Sequence, residues 1–137
     1  MKFDTDVEGE HGGVVGTITE YLNELPESGA DEFPVGTMIV KTVQPKDGPV
    51  PAIHAMVKRG SNFNKGGAFG WEFFELQQNE KGTPVIAWRG PKPPTGEKYK
   101  NLLNPDANTM EADCNGCHEV SKNDAVLSEA LQLDALE

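Results

Sequence analysis

The spacing of hydrophobic and polar positions changes along the chain, and each change marks an element. Between residues 13 and 26, Val14, Val15, Ile18, Leu22 and Leu25 recur at three- and four-residue intervals with Tyr21 beside them. Thr17, Glu20, Asn23 and Glu24 fall mainly on the other side. That spacing predicts an amphipathic helix, stopped by Pro26 and the following Glu27-Ser28-Gly29. Phe33-Pro34-Val35-Gly36 then turns the chain into a β-branched run, residues 37–43, which predicts a strand. After the breakers of residues 44–49, residues 52–58 predict a second strand. Its alternation sends Ile53, Ala55 and Val57 one way and His54, Met56 and Lys58 the other. The aromatic-dense residues 70–76 predict a third strand, with Phe73 and Phe74 on opposite faces, and residues 84–89 a fourth. Their short connections favour an antiparallel meander.

Residues 90–108 read as a connection bearing proline and lysine. Residues 110–119 predict a short helix, and residues 124–136 a final amphipathic one. Val126, Leu127, Ala130, Leu131 and Leu133 form the apolar side of the latter, and Asn123 or Asp124 its N-cap. The acidic, glycine-bearing residues 1–12 read as a flexible N-terminus, with His11 solvent-exposed, ahead of a single domain over 13–137. The expected fold class is α+β, a predominantly antiparallel sheet of about four to five strands with flanking N- and C-terminal helices and a late short helix.

Composition narrows the functions open to such a domain. The chain has 137 residues, of which 36% are hydrophobic, with Gly 15 and Pro 10. It has many turns and a sparing core, to which a large apolar cofactor would add. The net charge of −10 argues against nucleic-acid binding, which needs clustered Lys and Arg. It suits electrostatic steering toward a basic redox partner, and solubility alone explains it equally well. No apolar run is long enough for a membrane span, and the start, MKFDTDVEGEHGG, lacks the apolar region of a signal peptide.

The chemistry concentrates in Cys114-Asn115-Gly116-Cys117-His118, which reads C-x-x-C-H, the attachment signature of c-type haem. Two thiols add across the two vinyl groups of one haem, and the adjacent imidazole ligates the iron. On a helical turn the three side chains fall at i, i+3 and i+4, on one face. These are the only two cysteines. A redox dithiol would want a βαβ context. A zinc site would need further ligands, and only His11 and His54 remain among the histidines. The cofactor expected is therefore one haem c on Cys114 and Cys117, with His118 on the metal. Such attachment usually takes place outside the cytoplasm, so the location expected is periplasmic, with a leader removed.

The motif is late. In the common small cytochromes c it opens the chain and a distal methionine follows, whereas no methionine follows His118. Four-helix cytochromes c-prime carry it late, but four predicted strands precede it here. Phe33-Pro34-Val35-Gly36-Thr37, Ile39-Val40-Lys41, Met56-Val57-Lys58, Gly70-Trp71-Glu72-Phe73-Phe74 and the late motif, in that order, resemble the cytochrome P-460 family and the related cytochromes c-prime-beta over roughly residues 15–120. The resemblance implies a mainly antiparallel sheet with flanking helices, often a homodimer, with a single haem c against the sheet.

It also implies two behaviours. P-460 enzymes oxidise hydroxylamine and related nitrogen compounds through a haem cross-linked to a lysine, with an acidic residue over the iron. Lys58 matches that lysine best and Lys41 less well, while Glu72 and Glu75 are the candidate catalytic carboxylates. The c-prime-beta members bind small gases such as nitric oxide under a phenylalanine cap. Phe63, Phe69, Phe73 and Phe74 are the candidates for that cap. Trp71 and Trp88 read as core aromatics. Met56 or His54, on the Lys58 face, is the possible distal ligand of a third version, a six-coordinate electron-transfer cytochrome. The three functions expected are gas binding, hydroxylamine oxidation and electron transfer.

Overall fold

The computed structural model describes residues 1–11, 14–48, 50–94 and 114–136. Six strands follow one another: β1 (Lys2–His11), β2 (Val14–Leu22), β3 (Met38–Pro45), β4 (Ala52–Lys58), β5 (Trp71–Gln78) and β6 (Pro84–Arg89). They form one sheet in the order β1-β2-β3-β4-β5-β6, every neighbour antiparallel. The architecture is mostly antiparallel β with very little helix.

The expected N-terminal helix is instead β2, and the expected flexible terminus is β1. Val14, Val15, Thr17, Ile18 and Thr19 are β-branched and prefer a pleated surface to a helix. Their alternation is hidden because one inward position is polar. Val14, Leu22 and Glu20 are all buried, while Val15 and Tyr21 on the alternate positions are exposed. Glu20 is tolerated inside because Lys41 Nζ lies 3.0 Å from it and the Ser128 hydroxyl donates to it. At Gly16 a Cβ would stand 2.1 Å from the Gln44 carbonyl oxygen, so only glycine fits between β2 and β3. Gly16→Val should cost about 1–3 kcal/mol, read as a lower urea midpoint at unchanged slope.

The expected C-terminal helix over 124–136 is also absent. That segment consists of turns and one 3-10 turn, Glu129–Leu131. Side chains compete with a helical backbone here. Asn123 Nδ2 donates to the carbonyls of Val126 and Leu131, and its Oδ1 accepts from Leu133 N.

The segment lies on one face of the sheet, where the main apolar cluster forms. Leu22, Ile39, Met56, Trp71 and Phe73 come from β2 to β5, and Ala125, Val126, Leu131, Leu133 and Leu136 from the C-terminal run, with Phe33 and Ala68 from loops. The β4 alternation is as expected: Met56 pairs across to Phe73, and Lys58 to Trp71. The other face carries the exposed Val15, Tyr21, Met38 and Ile86. Most of the expected connection over 90–108, and residues 110–113 of the expected late helix, lie outside the described residues. Among the described residues no helix is long and apolar enough to cross a membrane.

Candidate functional site

Helix α1 (Cys114–His118) is a single five-residue turn, too short to hold itself. Neighbours fix it. Cys114 N donates to Pro91 O at 2.9 Å, just past β6. Asn115 Oδ1 accepts from Asn64 Nδ2 at 2.6 Å and from Ala68 N at 3.2 Å. Asn64 also reaches the carbonyls of Ala68 and Trp71. The loop between β4 and β5 thus grips α1 through one asparagine pair. Gly67 allows the approach, since a Cβ there would stand 2.2 Å from the Asn115 amide group.

Neither cysteine is in a disulfide; Cys114 is half-buried and Cys117 exposed. Cys114 packs against the main apolar cluster. The His118 ring centroid is 5.1 Å from that of Phe73, and His118 Nδ1 lies 2.7 Å from Ala125 O. A carbonyl only accepts, so Nδ1 carries the proton and Nε2 keeps its lone pair. Burial is the main cause holding the His118 pKa below its ordinary value. The positive charge of Lys41 adds to it, and the Ala125 carbonyl works the other way. A neutral imidazole with Nε2 available is the form that binds a metal.

Among the described residues, no group of three or more His, Cys, Asp or Glu side chains is placed to hold a metal ion. Zinc requires its thiolates and imidazoles to converge on one point. Haem c requires them to diverge, the thiols to the ring edge and the imidazole to the iron. Beside α1 a groove of about 200 Å³ is lined by Phe63, Asn64, Trp71, Glu72, Phe73, Arg89, Gly90 and Pro91.

The remaining candidates separate. Phe63 and Phe73 share the groove. Phe69 is exposed, and Phe74 lies on the opposite face of β5, with the Arg89 guanidinium 5.5 Å above its ring. Glu72 is buried and binds Arg89, with Nε at 2.6 Å, and Arg59 at 3.6 Å. Glu75 lies elsewhere, its Oε2 2.7 Å from His54 Nδ1. Met56 is buried in the apolar cluster. Lys58 is buried to 4% exposure, with Nζ 2.5 Å from Asp124 Oδ1 and 5.4 Å from the centre of the Trp71 ring. Trp71 is wholly buried and Trp88 half-buried. Lys41 pairs with Glu20 rather than with a group in the groove.

Four residues outside the expected set hold the site together: Asn64, Asn115, Asp124 and Ala125. Asn115 carried a signal in the sequence as an interior position of the motif, and Asp124 only as an N-cap candidate for a helix that does not form. His11 also departs from expectation. It ends β1 half-buried, with its ring 4.5 Å from that of His54. Burial, then the positive charges of His54, Lys41 and His118, push its pKa down to about 2. Its folded value lies below its unfolded one, so the unfolded state binds the extra proton in between. The stability His11 allows is therefore complete above about pH 6.5 and falls as pH drops toward 2, by up to about 1.4 kcal/mol per pH unit. His11→Gln should flatten that slope in urea titrations between pH 6.5 and 4.

Compared with protein-family models, with curated proteins and with solved structures, the chain matches none.

Proposed function

We propose that this chain is a mono-haem c protein, with haem attached through Cys114 and Cys117 and His118 as the proximal ligand. The observation that carries the reading is the His118 Nδ1 contact to Ala125 O at 2.7 Å. It orients the ring and leaves Nε2 for iron, on the same short turn that carries two cysteines outside any disulfide. When bound, the haem would supply an iron centre for reversible ligand binding or electron transfer. The chain's own part is to seat the imidazole against Phe73 and to offer the apolar surfaces of Phe63, Phe73 and Pro91 at the groove. Covalent attachment makes a periplasmic location part of the same proposal.

A vacant sixth position taking a small gas is the version favoured here. Met56, one of the two expected distal ligands, is committed to core packing. The hydroxylamine-oxidising version would have to draw Lys58 Nζ away from Asp124 before it could join a macrocycle.

The test is co-expression with haem-attachment machinery, followed by intact mass and absorption spectra with and without nitric oxide. The expected result is a mass gain of one haem and a ferrous spectrum that responds to nitric oxide. No mass gain would sink the haem reading. A low-spin spectrum indifferent to nitric oxide would leave the electron-transfer version. A strongly red-shifted ferrous Soret band lost in Lys58→Met would favour the cross-linked enzyme.

A further inference from the structure

Asp124 and Ala125 are consecutive residues with side chains in the left-handed region, at φ 48° and φ 63°. That conformation disfavours any residue bearing a Cβ, alanine more than aspartate. Two in succession persist only where the surroundings hold them. Here Asp124 is held at three atoms. Lys58 Nζ donates to Oδ1 at 2.5 Å, Phe33 N to Oδ2 at 2.9 Å, and Trp71 Nε1 to the backbone oxygen at 2.7 Å. The very next carbonyl, that of Ala125, is the one that takes His118 Nδ1. Lys58 and Trp71 are cross-strand partners on β4 and β5, so the fixed point is the sheet itself.

We propose that the buried Lys58–Asp124 pair, seated on Trp71, is the positioning device for His118. It locks a strained two-residue turn so that the Ala125 carbonyl is aimed at Nδ1. This rests on the reading of His118 as the haem ligand. Lys58 then acts on the proximal side, through Asp124 and Ala125. An outer hydrogen bond of this kind fixes the imidazole's orientation and raises its basicity as a ligand. If Asp124 relaxes, the carbonyl swings away, and the imidazole becomes a weaker donor to the metal. A device that merely ties the C-terminal segment to the sheet would affect stability alone.

The experiment uses the haem-loaded protein and its Asp124→Asn, Lys58→Met, Lys58→Arg and Trp71→Phe variants. Covalent haem in the wild type is measured first, and its absence rejects the ligand reading before any variant is compared. With haem present, the readouts are the ferrous iron–histidine stretching frequency by resonance Raman and the reduction potential. Asp124→Asn and Lys58→Met should lower the frequency and raise the potential, and Lys58→Arg should recover most of both. Trp71→Phe removes one donor and keeps an aromatic ring, so it should shift both readouts part of the way. It decides the matter if the charge variants fail to fold. Loaded variants with lowered thermal stability but wild-type frequency and potential would overturn the proposal and leave the haem reading intact.

Discussion

Cys114→Ser combined with Cys117→Ser should abolish covalent haem completely while leaving the fold in place. Neither thiol is needed to hold the sheet. Cys117 is exposed, and Cys114 is a half-buried neighbour of the apolar cluster. Its replacement by serine should cost about 1 kcal/mol, in the ordinary range for a partly buried substitution. Helix α1 is held by backbone and asparagine contacts that the substitutions do not touch. The double variant should therefore unfold cooperatively near the stability of the unloaded wild type, with no haem mass and no Soret band after denaturation and extraction. The loaded wild type should keep its haem through the same extraction and leave neither thiol open to a thiol reagent. A redox dithiol would behave differently: the wild type would lose its thiols on mild oxidation and regain them with reductant, with no chromophore. Haem that survives denaturing extraction in the double variant would disprove the attachment.

The parts of this site that were legible in the sequence are those with short-range signals. The C-x-x-C-H spacing is complete in five residues. Strands β3 to β6 announce themselves through β-branched and aromatic runs between strong breakers, and the opposed faces of Phe73 and Phe74 follow from the pleat alone. The N-terminal hairpin was not legible for a specific reason. Val14, Ile18 and Leu22 are spaced by four, and four is a multiple of two, so both periods accommodate them. The position that would have decided between them, residue 20, is a buried glutamate whose partners Lys41 and Ser128 are distant in sequence. The C-terminal run misled in the same way. Its apolar spacing is helical, but Asn123 spends its side chain on three backbone groups and prevents the helix. The setting of His118 could not be read either, because it depends on Lys58, Trp71 and Asp124, gathered from β4, β5 and the tail.

That gathering makes Trp71 the most consequential side chain in the core. Its exposure is 0%. The edge of the Phe33 ring packs on it at 5.8 Å, and the Lys58 ammonium sits over it at 5.4 Å. Its Nε1 donates to Asp124 O at 2.7 Å. Trp71→Ala removes the largest apolar surface in the cluster and leaves a cavity, at about 3–5 kcal/mol. It also strips one of the three anchors from Asp124 and exposes the buried ammonium to rearrangement, so the upper end of that range is expected. Domains of this size are stable by only about 5–15 kcal/mol, and the melting temperature should fall by more than about 10 °C. Trp71→Phe keeps a ring against Phe33 and under Lys58, and loses chiefly the hydrogen bond, at about 1–2 kcal/mol. The difference between the two, measured by urea unfolding of the same preparation, separates what Trp71 fills from what it holds. If Trp71→Ala came within about 1 kcal/mol of the wild type, the sheet and the C-terminal segment would not share the core described. The carbonyl facing His118 would then need another anchor.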